Sequence, residues 1–473
     1  MPKKDDKVTI FTPGFIRKNG IGEVTMMVEE IFNPESREAA FAVWNKGKDV
    51  EYLSKIEEDN AVYLPLVDDV LTKGSILLPT GIREYESETV LFDRMNEFIH
   101  KWYDGPEDQP IMSSYSMLTW LYDKCMAMPL LDFRAPRDSG KTRGAMCCLA
   151  LSYRGIRSSG CASDSAIFRT NENWKGTVFI NEGDMGASEE THFRINYLLE
   201  RYESGGSVWR VDTEDHNKVK TFQCYGPTIL TTREEFVDDA LESRCFTITP
   251  ENTERDDILP VLTSDFYREA EQIRNSLLAF RFKWFPTFDP DYSIKFKGVN
   301  TRLNQILQPI ASIAKLISPE FSLKIWGIAK GLNRTQVEGS QNSTDNMIVR
   351  AFFQLEQINN EVRDIPIQSR GYDQEVTPID ATHLSEIISK MGGNVSPVAV
   401  GRRMTVLKFQ LDKVSGGNKK NYKVRGDRRK KLAMKYLAED EYPEDVRLEL
   451  DSNPHQKHII EKGRTDGSSS KDG

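Results

Sequence analysis

Long apolar runs are missing from this 473-residue chain. None reaches the roughly 20 residues that span a bilayer, so the sequence predicts no membrane partner. The opening residues, Met1 to Phe11, carry charge but lack the apolar segment of a secretory signal. Cysteine is scarce, with six at positions 125, 147, 148, 161, 224 and 245, and none forms a Cys-x-x-Cys pair. That argues against a disulfide scaffold or a zinc site and predicts buried free thiols in a reducing cytoplasm. His455 and His458 stand too isolated in a polar tail to hold a metal. Positive charge is in the minority, with a formal net charge of −9, which argues against binding nucleic acid over the whole surface. What remains is a chain with 38% hydrophobic and 29% charged residues, long enough for two to four globular domains.

Against this background one segment stands out. Residues 135–142 read Ala-Pro-Arg-Asp-Ser-Gly-Lys-Thr and follow the short apolar run Pro129, Leu130, Leu131, Asp132, Phe133. This is the phosphate-binding loop pattern, placed after a strand and before a helix. Pro129 interrupts the preceding helical segment, and Arg143 to Tyr153 is rich in helix formers. Backbone N–H groups of Ala135, Pro136's neighbours Arg137 and Asp138, Ser139, Gly140 and Arg143 are therefore expected around a phosphate chain, since helix N-termini favour anions. Lys141 supplies a point charge near the β and γ phosphates of ATP, and Thr142 a hydroxyl for Mg²⁺. The competing account is a surface turn with a chance Gly-Lys-Thr.

About forty residues later, residues 176–184 form an apolar strand that ends in acids. Its C-terminal edge is expected beside the phosphate loop, with Glu182 orienting or activating the attacking water. Asn181 stands where a metal-linked Asp is usual; its carbonyl oxygen can approach Mg²⁺ but brings no charge. Asp184 either supplies that charge or caps a helix. A further strand ends at Thr231 and Thr232, which either sense the γ-phosphate or are ordinary strand-end threonines. Arg244, just before another apolar strand, could stabilise phosphoryl charge across a subunit boundary or form a surface salt bridge. Between these strands, two short alternating runs around the tip 213–218 predict a hairpin. Its His216, Lys218 and Lys220 contact phosphates if it lines a channel, or solvent if it does not.

The ends of the chain differ in character. Residues 1–82 read as mostly β, with strand-like runs at 8–11, 40–44 and 61–66. Helices are expected at 88–103, with Val90, Leu91, Met95, Phe98, Ile99 and Trp102 on one face, and at about 114–128. Residues 258–360 read as helices only, including 263–285, 301–317 and 345–361. Residues 396–436 hold 13 Lys/Arg against Asp412 and Asp427. There Asp380 caps a helix carrying Leu384, Ile387, Ile388 and Met391, and Gly392, Gly393 and Asn394 stop it. Ser396 and Pro397 start a second helix with Arg402, Arg403 and Lys408 outward and Val400, Met404 and Leu407 inward. A hairpin follows, flanked by Lys413, Lys419, Lys420 and Lys423. This is the outline of a winged helix, used either for DNA, as the charge favours, or for protein contact.

Taken together, PLLDFRAPRDSGKTR, SDSAIFRTNENWKGTVFINEGDM, GPTILTTREEF, LESRCFTI and TRLNQILQPIASIA resemble the AAA+-like ATPases of phages, plasmids and other mobile elements, of helicase-like or primase-associated type. The resemblance covers roughly residues 88–320. It implies an α/β fold: a P-loop NTPase core with a parallel sheet over 83–255 and a helical lid over 256–365, beside the small mostly β N-terminal domain over 1–82, the winged helix over 376–436 and the disordered tail over 451–473 that the residues themselves suggest. It makes Lys141 and Thr142 the phosphate-loop pair, Glu182 the hydrolytic glutamate, Arg244 an arginine finger and Arg302 a second sensor. ATP and Mg²⁺ are the implied cofactors, and DNA and further copies of the chain, with a hexameric ring as one arrangement, the implied partners. The activity implied is a DNA helicase or translocase; Asn181 leaves open a nucleotide-gated DNA-binding switch with little turnover.

Overall fold

The structure is a computed structural model. It describes residues 7–105, 107, 109–158, 163–181, 189–212, 215, 217–236, 238–253, 255–299, 301–339, 344–364, 376–413, 420–437 and 439–451. Glu182, Asp184, His216, Lys419, Cys161 and the tail from 452 lie outside the described residues. The chain divides into two compact units, Met1–Ile294 with Gln305–Ile325, and Lys295–Asn304 with Trp326–Gly473.

The first unit opens with strands β1 (Val8–Phe11), β2 (Gly14–Lys18), β3 (Val24–Asn33), β4 (Glu38–Asn45), β5 (Glu51–Leu53), β6 (Ile56–Glu57) and β7 (Ala61–Leu64). They make an antiparallel sheet β2-β3-β4-β5 and a smaller sheet β1-β7-β6. β3 does not alternate like a half-exposed strand, because Val28, Glu29, Glu30 and Ile31 are all buried. The short helix α1 (Asp69–Thr72) and the strand β8 (Ile76–Leu77) follow. β8 leaves the N-terminal sheets and pairs antiparallel with β10 (below), on the edge of the central sheet.

Helix α2 (Glu88–Trp102) starts at Ser87, whose hydroxyl accepts from the Val90 N–H. It buries Leu91, Phe92, Met95, Phe98, Ile99 and Trp102. The expected apolar face is thus rotated slightly: Val90 is exposed and Phe92 takes its place against Phe321. α3 (Gln109–Thr119) ends earlier than the sequence suggests. The chain tightens into a 3-10 turn at Tyr122–Lys124, which presents Asp123 to Arg281 at 2.7 Å.

The central sheet holds β9 (Leu130–Arg134), β10 (Gly155–Arg157), β11 (Val178–Ile180), β14 (Thr228–Thr232) and β15 (Cys245–Ile248). Its order is β15-β9-β14-β11-β10-β8, and every pair except β10-β8 is parallel. The inner strands β11 and β14 are short and buried along their length, as befits parallel strands covered on both faces. The intervening elements are α4 (Lys141–Leu151), α5 (Asp164–Trp174), α6 (Glu189–Tyr202), the hairpin β12 (Ser207–Val211) with β13 (Val219–Gln223), and α7 (Asp239–Glu242). α8 (Ser264–Trp284) packs on α2 and α4.

A buried ionic knot joins three of these layers. Glu29 of β3 meets Arg154 at 2.7 Å and Arg281 of α8 at 2.7 Å. The Tyr153 hydroxyl also donates to Glu29 at 2.8 Å. Burial alone would push the Glu29 carboxyl up, but the two guanidinium groups and these hydrogen bonds hold it below the usual range. Its neighbour Glu30 is treated differently. It accepts from the Leu66 N–H at 2.9 Å, and burial pushes its pKa up to about 8. A folded-state pKa above the unfolded value means stability present below about 4.5 is lost as pH rises through about 8. Glu30→Gln should therefore flatten the fall in melting temperature between pH 6 and 9, measured by thermal unfolding; an unchanged slope would contradict this assignment.

Among its described residues the second unit is helical apart from one hairpin. It includes parts of α9 (Thr301–Ile317) and α10 (Pro319–Gly339), then α11 (Thr344–Asp364), α12 (Ala381–Lys390) and α13 (Pro397–Val406). β16 (Gln410–Lys413) and β17 (Lys420–Lys423) pair antiparallel, and α14 (Gly426–Tyr436) and α15 (Glu444–Asp451) close the described chain. Asp380 caps α12 through the Thr382 and His383 N–H groups. Ser396 caps α13 with Pro397 in its first turn. Leu384, Ile388, Val400, Met404 and Leu407 share one core with Phe352 and Tyr436. Met391, expected on the inner face of α12, is exposed. Among the described residues no helix is long and apolar enough to cross a membrane.

Candidate functional site

Residues 135–140 join the C-terminal end of β9 to the N-terminus of α4. Gly140 has φ 80° and ψ 3°, the left-handed region that costs an L-residue with a side chain roughly 1–2 kcal/mol. No side chain caps α4, unlike α2, α12 and α13. Its first-turn N–H groups thus have no side-chain acceptor, which suits an anion. Lys141 is 7% exposed, and its Nζ donates to the Pro136 carbonyl at 3.0 Å. The Ser139 hydroxyl donates to the same carbonyl at 2.9 Å, so two donors close the loop on one oxygen. Pro136, Arg137 and Asp138 are exposed, Ala135 is buried, and Arg143 donates to the Trp102 carbonyl at 3.3 Å. Gly144 lets α4 sit close to β9, since a Cβ there would come within 2.7 Å of the Phe133 ring.

β14 lies between β9 and the acid-ended strand β11. The two strand ends still meet, through side chains. The Asn181 Oδ1 accepts from the Thr231 hydroxyl at 2.9 Å and from the Thr142 hydroxyl at 3.4 Å. Asn181 thus gathers the ends of β11 and β14 and the start of α4 at one point. Among the described residues no cluster of three or more His, Cys, Asp or Glu could hold a metal. Thr142 and Asn181 offer neutral oxygens, so they fit Mg²⁺ bound largely through phosphates and water rather than a protein cage.

Strand alternation separates the two threonines. Thr231 is the register partner of Phe133, on the α4 face, whereas Thr232 pairs with Arg134. Thr232 donates to Asp132 at 2.9 Å, and Asp132 also meets Arg134 at 2.8 Å. The Arg134 guanidinium makes a two-pronged contact with Glu242 of α7, at 2.9 and 2.8 Å. Burial pushes the Asp132 carboxyl up to about 6, against the pull of Arg134. This cluster ties the strand feeding the phosphate loop to α7, two residues before Arg244. The sequence reading missed it. Its one local signal was charge at alternate positions, 132 and 134, inside an otherwise apolar strand.

Arg244 immediately precedes β15, at the strand end opposite the phosphate loop, where its carbonyl accepts from the Leu130 N–H. Its Nη1 donates to the Ala240 carbonyl at 2.6 Å, and its guanidinium lies 5.2 Å from the Tyr202 ring centroid. Within the chain it is not brought to Lys141. The predicted hairpin forms as β12 and β13, anchored at its base by the buried Arg201, which donates to the Cys224 and Pro227 carbonyls. Lys218 pairs with Asp215 at 3.1 Å and Lys220 with Asp212 at 2.9 Å, so acids at the tip already engage both cations. Trp209, Val211 and Val219 of the hairpin are exposed.

In the second unit the basic residues divide into two groups. Arg403 forks onto Asp345 of α11, at 2.7 and 2.5 Å. Arg429 bridges Glu356 and Asp445, and Arg428 donates to the Leu407 carbonyl. These arginines hold the unit together. Arg402 and Lys408 are exposed, and Lys420 is the register partner of Lys413 in the hairpin.

No protein-family model matches the chain, and no curated protein does. Among solved structures it is similar to the apo structure of the NrS-1 C-terminal region, at 12% identity and a TM-score of 0.37, covering 84% of this chain and 96% of that one. The A form of the same region gives 14% identity and 0.37, covering 84% and 97%. JCV helicase with a bound small molecule gives 15% identity and 0.24, covering 53% and 64%. At this level the likeness is a loose one of fold and carries no argument about chemistry.

Proposed function

We propose that the chain is an ATP-dependent motor of DNA helicase or translocase type that moves or remodels DNA in mobile-element replication. The observation that carries the reading is the junction of β9, the uncapped α4 and the Asn181–Thr231 pair, which gathers a phosphate loop, a metal-side hydroxyl and a second strand tip. In this reading backbone N–H groups of residues 137–143 bind the phosphates, and Lys141 turns from the Pro136 carbonyl to balance their charge. Thr142 and Asn181 hold Mg²⁺, which supplies charge neutralisation when bound. Thr231 reports on the γ-phosphate through its bond to Asn181. Glu182 and Asp184, following Asn181 in sequence, orient water and complete the charge. Arg244 reaches a neighbouring copy in a ring, since it does not face its own loop. Arg402, Lys408, Lys419, Lys420 and, from the hairpin, Lys218 bind DNA phosphates in a winged-helix-like module.

A second reading is favoured by Asn181: an amide already accepting two hydroxyls leaves the site without the usual anionic anchor for Mg²⁺. The chain would then be a nucleotide-gated DNA-binding switch with negligible turnover. ATP hydrolysis measured with and without single- and double-stranded DNA separates the two. DNA-stimulated turnover supports the motor; nucleotide-dependent DNA affinity without turnover supports the switch.

A further inference from the structure

Arg134 ends the strand that feeds the phosphate loop, and its guanidinium is the hub of the cluster on the sheet face away from α4. It serves two carboxylates: Asp132, wholly buried, and Glu242 of α7, whose side chain is 31% exposed. Thr232 donates to Asp132, within 2.9 Å of one oxygen and 3.0 Å of the other. Glu242 also accepts from the Phe236 N–H at 3.0 Å, and the Phe236 ring centroid lies 5.7 Å from the guanidinium. The cluster thus folds the segment after β14 back onto the start of the loop. There the Ala135 N–H donates to the Thr232 carbonyl at 3.2 Å.

α7 has four residues, barely one turn, too short to hold its own place. The Asp238 carboxylate caps it through the Leu241 N–H at 2.8 Å, and Leu241 is buried. The fork of Arg134 on Glu242 ties it to β9. Arg244 rests on this same turn. Its N–H donates to the Leu241 carbonyl at 3.0 Å, and its Nη1 to the Ala240 carbonyl at 2.6 Å. The aim of its guanidinium therefore depends on where α7 sits. Thr232 also follows Thr231, which is bonded to Asn181, so one backbone step links the phosphate side of β14 to the cluster.

We infer that Arg134 and Glu242 are positioning residues that aim Arg244 for phosphoryl transfer in the site of a neighbouring copy. This rests on the reading above in which Arg244 serves a neighbour, and names what holds it in place. Both act through α7 and not on the nucleotide. An arginine suits the task, because its planar fork fixes Glu242 in distance and in rotation, where a lysine would fix distance alone. Arg134 directly precedes Ala135, so each copy's arginine finger is tied to that copy's own phosphate loop.

The test measures ATP turnover of full-chain variants, alone and in assemblies co-expressed from two variants, with thermal melting to show that each is folded. Glu242→Gln should lower kcat about 10²-fold with KM for ATP unchanged, the usual cost of misplacing a group by about 1 Å. Arg134→Lys should do the same, and the two together no more than either alone. Glu242→Gln keeps its loop and Lys141→Ala keeps its Arg244. Their equal mixture should recover about a quarter of the wild-type rate, the share of head-to-tail contacts that join an intact loop to a well-aimed arginine. Lys141→Ala mixed with Arg244→Ala should recover the same share, and Glu242→Gln mixed with Arg244→Ala none. Full turnover in Glu242→Gln overturns the inference and leaves the role of Arg244 in place. So does failure of its mixture with Lys141→Ala where the Arg244→Ala mixture recovers. No recovery in the mixture of Lys141→Ala with Arg244→Ala overturns it together with the placing of Arg244 in a neighbour's site. A wild-type chain without turnover overturns the motor reading as well.

Discussion

Replacing Glu29 by Ala should destabilise the first unit by about 3–5 kcal/mol, the cost of leaving buried charge unpaired. Glu29 is 3% exposed, and its partners Arg154 and Arg281 are 5% and 2% exposed, so neither guanidinium can turn to water. Asp123 still pairs with Arg281 in the variant, but Arg154 keeps only carbonyl acceptors, at Pro13 and Trp174. A loss of that size is a large part of the roughly 5–15 kcal/mol that holds a domain folded. The exposed pair Lys46–Glu23 supplies the contrast, since breaking a solvated pair changes little. The sign with pH follows from the lowered Glu29 pKa: its contribution is present above about 4.5 and is lost as pH falls. Chemical denaturation of Glu29→Ala and Lys46→Ala checks this. Equal, small shifts for both would mean that the buried knot is not what joins β3 to α8.

Lys141→Ala should lower ATP turnover by about 10²–10³-fold, the usual loss when one charge-stabilising donor is removed from a reacting centre. The fold should survive. In the structure Lys141 contributes one hydrogen bond, to the Pro136 carbonyl, worth about 1 kcal/mol net. Ser139 keeps its own bond to that oxygen. Turnover and thermal melting measured together therefore separate chemistry from unfolding. Lys218→Ala, which breaks only an exposed pair with Asp215, should leave DNA-free turnover unchanged. Turnover preserved in Lys141→Ala would remove this loop from the reaction.

What could be read from sequence was local. The Asp380 and Ser396 caps and the Pro397 helix start are short-range signals, and each has its helix in the structure, while the Gly-Lys-Thr pattern has its place between β9 and α4. Partners far apart in sequence could not be read. Arg134 and Glu242 lie 108 positions apart, and Glu29 and Arg281 252 apart. The division of the basic residues into fold-holding Arg403, Arg428 and Arg429 and exposed Arg402 depends on which acids and carbonyls the other helices bring up. Strand order is likewise a tertiary property. β14 inserts between β9 and β11, so the meeting of Thr142 with Asn181 runs through side chains rather than adjacent backbones. On α2, periodicity found the helix, but packing against Phe321 decided that Phe92 rather than Val90 turns inward.

Titrating the full chain with ATP and Mg²⁺ and recording the heat tests most directly whether residues 135–142 cradle a triphosphate. Saturable binding in the wild type, weakened at least tenfold by Lys141→Ala in a protein that still melts cooperatively, is the predicted result. A folded wild-type chain that gives no binding heat with any purine nucleoside triphosphate, across temperatures at which an enthalpy near zero is ruled out, would contradict it.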